Sequence, residues 1–167
     1  MGAIDRWHAN RIAAGVPEGS IDLTPERALM LEAGLDQLGA VDFEKGCYVG
    51  QEVTARTHYR GLVKRRLVPL TIAGEPPAID SDIMWQGTVI GKSKTAATFI
   101  APITGEHEPT DTKSICLALL KLSDLHNILD APADGDGPTT GGLMINGHAA
   151  VLALPDWMQP LPRQAKS

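Results

Sequence analysis

The stretch that decides the fold is LMINGHAAVLAL, residues 143–154. Residues 143–145 and 148–154 have the composition of two strands, and Asn146-Gly147 lies between them. Asn-Gly is the strongest two-residue signal for a hairpin turn, because both positions accept a positive φ. The stretch therefore predicts an antiparallel β-hairpin.

Three further segments of the second part of the chain also have strand patterns. Residues 68–72 alternate between apolar and other side chains, and Pro69 suggests that this strand is an edge or an end. Gln86-Gly87 separates residues 83–85 from residues 88–90 as in a second hairpin. Residues 115–122 form an almost continuous apolar run, which is typical of a strand covered on both faces.

The composition agrees with a fold built from many turns. The chain has 17 Gly and 12 Pro among 167 residues, more than the usual shares of about 7% and 5%. We therefore predict an α+β protein that is mainly β, in which short N-terminal helices precede a small antiparallel β-barrel of about six strands.

The first 60 residues have helix signals instead of strand signals. Three helices are predicted: over residues 5–14, from Thr24-Pro25-Glu26 onward, and over residues 50–58. The apolar side of the second helix would consist of Leu29, Leu31, Leu35 and Leu38. We divide the chain into a helical and irregular part (1–60), the barrel domain (61–158) and a tail (159–167) that we expect to be frayed.

The charge of the chain is unevenly distributed. The formal net charge is −5, but residues 45–66 carry +5 and the remainder −10. The acidic average argues against non-specific nucleic-acid binding by the whole surface. The basic window predicts a local anion-attracting patch, and a solvated strand face is the alternative. Its cations are Lys45, Arg56, Arg60, Lys64, Arg65 and Arg66.

The remaining composition limits the class and location of the protein. Two cysteines are too few for a disulfide framework, a structural zinc site or an iron–sulfur cluster. A reducing compartment is the default for such a chain, so we expect a cytoplasmic protein. No run of 18 apolar residues occurs, and residues 1–5 do not resemble a signal peptide, so no membrane partner is expected.

The motif Lys45-Gly46-Cys47-Tyr48-Val49-Gly50-Gln51-Glu52 carries the chemistry. Its thiol lies just before a predicted helix, whose free amide groups and dipole stabilise a thiolate, and Lys45 adds positive charge. A reactive or ligand-contacting cysteine is one interpretation. The alternative is that Cys47 is a small buried apolar residue, as we expect Cys116 to be within its apolar strand.

This motif, continued by VTAR and YRGLVKRRL, resembles the signature of the YgfZ-type folate-binding proteins of iron–sulfur protein maturation, relatives of the glycine-cleavage T-protein (aminomethyltransferase). Supporting similarity lies in residues 11–17, 31–36, 118–122 and 155–157. The resemblance implies a ring-like, three-part fold that ends in a β-barrel, with tetrahydrofolate in a central opening. It also implies support of iron–sulfur client proteins, including radical enzymes that modify tRNA, and no direct nucleic-acid partner.

The resemblance also implies roles for individual residues. Cys47 would be the key side chain, with Lys45 beside it. Tyr48, Gln51 and Glu52 would position the thiol or contact the ligand. The remaining ligand-binding candidates are Arg56, Tyr59 and Arg60, facing the anionic folate tail or a partner, and Arg11 in the upstream match. No metal site is expected.

The sequence departs from the family pattern in two ways. Family members carry a long N-terminal portion, with much of the folate-binding fold, before the matched segment. We therefore expect poor folate binding by this chain alone, exposed apolar faces on residues 1–60, and self-association through them. In addition, Gly34 stands where many relatives have Asn.

Two alternative functions stay open. The chain would be a β-barrel interaction module without small-molecule chemistry, or a folate-dependent aminomethyltransferase. The aminomethyltransferase family lacks the thiol signature and usually has an acid at the position that Ala13 occupies here.

Three weaker hypotheses concern other side chains. His58 would be a ligand or pH-sensitive group, and Asp134 and Asp136 would belong to a calcium loop that lacks its glutamate. The three tryptophans would be core anchors (Trp7, Trp85 and Trp157).

Overall fold

The computed structural model describes residues 2–99, 113–131 and 142–162. Six antiparallel strands close into a barrel in the order β1-β4-β3-β2-β5-β6, so the predicted fold class is confirmed. The strands are β1 (Arg65–Ile72), β2 (Asp82–Trp85), β3 (Thr88–Phe99), β4 (Lys113–Lys121), β5 (Leu143–Ile145) and β6 (His148–Leu152).

Within the described ranges, four α-helices and one short 3₁₀-helix accompany the barrel. They are α1 (Ala3–Ala13), α2 (Gly19–Asp22), α3 (Gln51–Tyr59), α4 (Leu122–Asp130) and the 3₁₀-helix Asp156–Met158. The first and third predicted helices are confirmed as α1 and α3. Sequence reasoning missed α4, whose Leu122, Leu125 and Ile128 are buried at a spacing of three residues. None of the helices in the described ranges is long and apolar enough to cross a membrane.

The predicted helix from Thr24 onward is wrong. Residues 24–39 form successive turns, since Glu26, Gly34 and Gly39 have φ of 62°, 76° and 74°, in the left-handed region that interrupts a right-handed helix. Its expected apolar side is split, because Leu31 is buried while Leu29 is 51% exposed.

Both predicted hairpins are confirmed. Asn146 and Gly147 have φ of 49° and 81°, and Gln86 and Gly87 have φ of 48° and 77°. Two consecutive positive φ values are the feature of the type I′ turn, whose twist matches that of the paired strands.

Pro69 does not lie on an edge strand, the first of the two predicted alternatives, because β1 pairs with both β4 and β6. Its carbonyl oxygen accepts a hydrogen bond from the Ala153 N–H at 3.0 Å, just beyond the end of β6. The N–H and C=O of a strand residue face the same neighbour. The N–H that proline lacks would therefore face the end of β6, where the ladder stops.

Strand β4 is covered on both faces. In β4, Cys116, Ala118 and Leu120 belong to the main core cluster, whereas Ile115 and Leu117 pack with Ala9 and Ile12 of α1 in a second cluster. This alternation confirms the prediction for β4. The division of the chain at residue 60 stays a prediction.

Two expectations about the periphery are corrected. Trp85 and Trp157 pack against the main core, but Trp7 is 55% exposed and does not anchor it. In the expected frayed tail, Leu161 is buried and the Pro162 carbonyl oxygen lies 3.1 Å from His126 Nε2. The calcium hypothesis for Asp134 and Asp136 falls outside the described residues.

Candidate functional site

Cys47 is exposed and lies in the irregular segment that enters α3. The chain turns into the helix at Gly50, whose φ of 87° favours glycine, and the Gln51 N–H donates to the Tyr48 carbonyl oxygen at 3.2 Å. The predicted place of the thiol, just before a helix N-terminus, is therefore observed. The alternative of a buried apolar Cys47 is wrong, and it describes Cys116 instead, which is fully buried.

A tight turn at Asp42 organises the approach to this cysteine. The Asp42 carboxylate accepts hydrogen bonds from the N–H groups of Glu44 (2.8 Å) and Lys45 (3.2 Å). The Lys45 ammonium lies 4.9 Å from the centroid of the Tyr48 ring, within cation–π range. Lys45 and Tyr48 thus flank Cys47 in sequence and contact each other in space.

The helix α3 carries the other predicted ligand-contacting residues. Gln51 is half-buried at its start. Glu52, Arg56, Tyr59 and Arg60 are exposed, and their spacing of three and four residues places them along one side of the helix and its cap. The structure therefore brings one exposed acid, two exposed guanidinium groups and a phenol to the same side.

The basic window divides into exposed cations and structural ones. Arg65 donates from Nε and Nη2 to the two oxygens of the Glu32 carboxylate, both at 3.1 Å. Arg66 is fully buried. It donates from Nη1 to the Leu31 carbonyl oxygen at 2.8 Å and from Nη2 to the Gln37 side chain. Its Nη1 also lies 3.7 Å from the Asp36 carboxylate. The prediction of an anion-attracting patch is thus wrong for Arg66, whereas Arg65 is paired but stays 49% exposed.

The environment of Arg66 is dominated by burial. Burial lowers the pKa of the Arg66 guanidinium, and the nearby Asp36 carboxylate opposes that shift. An arginine retains its charge in proteins even so. Asp36 therefore neutralises the buried Arg66 guanidinium. Because it is buried and paired, this guanidinium is not available to an external anion.

His58 connects α3 with this buried group. Its ring stacks on Phe43 at a centroid distance of 4.1 Å, and its Nδ1 lies 3.7 Å from the Asp36 carboxylate. Asp36 thus lies between His58 on α3 and Arg66 on β1. These contacts position α3 against the barrel, while the ligand or pH-sensitive role of His58 stays a prediction.

Arg11 is held by a network of its own. Its Nη1 donates to the Val16 carbonyl oxygen at 2.7 Å and to the Asp22 carboxylate at 2.9 Å, and its Nη2 lies 3.1 Å from Glu18. Asp22 also accepts from the Thr95 N–H at 2.8 Å. Arg11 and Asp22 are both buried, and their network joins α1, α2 and β3. Sequence reasoning missed Asp22, because nothing local marks it as the partner of Arg11.

Among the described residues, the cavity next to the motif helix is too small for folate. The cavity beside α3 has a volume of about 130 Å³ and is lined mainly by apolar side chains from residues 28–32, by Val53, Thr54 and Thr57, and by Val63. Small-molecule pockets usually measure about 300–1,000 Å³. Within the described ranges, the motif and α3 therefore offer one exposed wall for such a ligand. In the part of the chain that the structure describes, no group of three His, Cys, Asp or Glu side chains converges as a metal site.

The two cysteines are expected to differ sharply in alkylation. Burial raises the pKa of the Cys116 thiol to about 12, so the thiolate is scarce near neutral pH, and its sulfur is inaccessible. At about pH 8, iodoacetamide should modify the native protein at Cys47 alone and should modify both cysteines after denaturation. Peptide mass mapping checks this. Cys47→Ser is the control and should leave the native chain unmodified; native labelling of Cys116 would contradict the prediction.

Comparison with known proteins gives partial-length relatives. No family model matches the chain. The chain is 46% identical over 78 residues to the mitochondrial iron-sulfur cluster assembly factor IBA57 of Mus musculus, covering 47% of this chain and 22% of the relative. It is 49% identical over 70 residues to the Homo sapiens protein of that name (42% and 20%) and 54% identical over 70 residues to a Mycosarcoma maydis homolog (41% and 17%).

These similarities support the resemblance at a coarse level. The matched stretch spans about a fifth of the length of these curated relatives. The chain is homologous over that stretch to iron–sulfur cluster assembly factors, which are related to the YgfZ-type and T-protein families. The relatives are named as mitochondrial proteins, so the expectation of a cytoplasmic protein is wrong.

Proposed function

We propose that this homologue of iron–sulfur cluster assembly factors supports the assembly or repair of iron–sulfur enzymes through the thiol of Cys47. The observation that carries the proposal is the exposure of that thiol within KGCYVGQE, directly before α3. The names of the relatives supply the class of process. The specific role of the cysteine is our inference from its chemistry.

The Cys47 side chain is exposed, so its sulfur is accessible to a metal ion or a client protein. A thiolate is a soft ligand for iron. One cysteine cannot hold a cluster alone, so Cys47 would contribute a single ligand or nucleophile while the client protein supplies the others.

A folate link is a further part of the proposal, and the family resemblance supports it. Arg56 and Arg60 would face the anionic tail of tetrahydrofolate, and Tyr59, which is 71% exposed, would offer a ring for stacking. The Tyr48 hydroxyl is buried and has no hydrogen-bond partner within the described residues, so it would donate to a bound group. Because this wall is open, other segments would have to complete the site. Clients that modify tRNA belong to the same proposal.

The role of Cys47 is tested by complementation. In cells that lack their own factor of this class, the Cys47→Ser chain is expected to lose about tenfold or more of the activity and cluster content of a dependent iron–sulfur enzyme. The fold should persist, because the side chain is exposed. The readouts are enzyme activity and bound iron in the purified client.

Val49→Ser is the matched control for that experiment, because Val49 is fully exposed two residues away and carries no thiol. It should support the client as well as the unaltered chain does. Full support by the Cys47→Ser chain would overturn the thiol mechanism and would favour the second candidate.

That second candidate is a β-barrel interaction module without small-molecule chemistry. The observation that favours it is the distribution of exposed large apolar side chains: eleven of the sixteen described examples lie between Ile4 and Leu62. A contiguous exposed apolar patch is typical of a protein-binding surface, and the second candidate requires that these side chains form one. Self-association through this surface stays a prediction. A folate-dependent aminomethyltransferase has no such observation in its favour.

A further inference from the structure

A larger cleft lies between residues 22–33 and the strands β3 and β4. Its volume is about 470 Å³, within the usual range for a small-molecule site. It shares Ala28, Leu29 and Glu32 with the small cavity beside α3, but neither Cys47 nor any residue of α3 lines it. The cleft is therefore a separate feature from the thiol site.

The charges that line this cleft are predominantly positive. Five cations, Arg27, Arg65, Lys92, Lys94 and Lys121, face three acids, Asp22, Glu32 and Asp80. The lining thus has a formal charge of +2, whereas the whole chain has −5. A cleft with apolar walls and one dominant sign of charge concentrates ligands of the opposite charge.

All three acids of the cleft already have partners. Asp22 pairs with Arg11 at 2.9 Å, Glu32 with Arg65 at 3.1 Å, and Asp80 with Lys94 at 2.8 Å. Lys92 pairs outside the lining, with Asp82 at 2.7 Å. The three acids of the cleft and Asp82 therefore each have a cation partner already, and they are not available to neutralise another cation.

Arg27 and Lys121 remain at the cleft without an ion-pair partner among the residues that the structure describes, and both are exposed. Lys121 also lies directly opposite Arg65 in the β1–β4 ladder. Like charges in opposite positions destabilise a strand pair. Glu32 already pairs with Arg65, so Lys121 is the cation of this opposed pair that a bound anion would neutralise.

The remaining lining is mainly apolar and includes Leu67, Ile90 and Leu119. Such a surface accepts the organic part of a ligand, and the two cations accept a group with two negative charges. We propose that this cleft binds a small phosphate monoester, with its phosphate between Arg27 and Lys121 and its apolar part on these three side chains. This proposal goes beyond the function of the thiol and does not depend on it.

The test uses phenyl phosphate as the probe, with isothermal titration calorimetry at constant ionic strength. Phenyl phosphate should bind about tenfold more tightly than inorganic phosphate, because only the ester contacts the aliphatic residues. It should also bind about tenfold more tightly than benzoate, which has the ring but a single charge. Equal binding of either comparison ligand would overturn the assignment.

Variants locate the binding in the cleft. Arg27→Gln and Lys121→Gln should each weaken phenyl phosphate binding by about tenfold. Lys113→Gln is the matched control, since Lys113 is an exposed lysine at the other end of β4 and does not line the cleft. Unchanged affinity in the first two variants, or an equal loss in all three, would refute the proposal. Circular dichroism of each variant establishes that it is folded.

Discussion

Gly34→Ala is expected to lower the free energy of unfolding by about 3 kcal/mol, because two costs add at this position. The φ of Gly34 is +76°, a conformation that residues with a Cβ adopt at a cost. A Cβ there would also meet the Arg66 guanidinium, at 2.8 Å from Cζ and 3.2 Å from Nη1. Arg66 cannot easily retreat, since it is fully buried and bonded to Leu31 and Gln37.

Gly39→Ala separates these two costs. Gly39 has nearly the same φ, +74°, but an added Cβ would have nothing within 4 Å. This variant should lose only the conformational part, about 1 kcal/mol. Urea denaturation of both variants measures the difference. Equal losses would show that the contact with Arg66 contributes nothing.

This geometry also changes the meaning of Gly34. From the sequence, the glycine was a place where a polar contact made by Asn would be missing. In the structure, it is the place where the absence of a side chain leaves room for a buried guanidinium. Asn tolerates a positive φ better than Ala does, but its Cβ would meet the same group.

Arg66→Met is expected to lower the free energy of unfolding by about 3–5 kcal/mol, because it breaks a buried ion pair from one side. The Asp36 carboxylate, which is only 11% exposed, would lose its guanidinium partner. The Leu31 carbonyl oxygen and the Gln37 side chain would each lose a hydrogen bond as well. Methionine retains much of the volume, so the loss reports on charge and hydrogen bonding more than on packing.

Arg56→Met is the control, because Arg56 is an exposed cation of the same basic window. It should change stability by no more than about 0.5 kcal/mol. Adding Asp36→Asn to the Arg66→Met chain should recover part of the loss, since the unpaired carboxylate is then removed. Urea denaturation of the three variants measures these effects. Similar stabilities for the Arg66→Met and Arg56→Met chains would contradict a structural role for Arg66.

The connection from Arg66 to the thiol site passes through two contacts. Asp36 lies 3.7 Å from both the Arg66 guanidinium and His58 Nδ1, and His58 belongs to α3. The helix that follows Cys47 is therefore anchored to the barrel by a buried charge. The orientation of the thiol approach and the stability of the barrel depend on the same group of residues.

Much of the candidate site could be predicted from local signals. The exposed thiol before α3 follows from the glycines of the motif and the helix-forming residues after it. The predictions failed at residues whose partners are distant in sequence. Arg65 pairs with Glu32, which is 33 positions away, and Thr95 donates a hydrogen bond to Asp22, which is 73 positions away. No periodicity or turn signal reports such pairings.

The sequence by itself determined the two hairpins, the doubly covered strand β4 and the helix α3. Each of these depends on φ preferences and on apolar periodicity within a few neighbouring residues. Only the tertiary structure decided which cations of the basic window stay exposed, that Arg11 serves a buried network, and that a positive cleft lies beside β3 and β4. Burial and ion pairing are properties of segments that meet only when the barrel closes, so the charge pattern of the chain could not specify them.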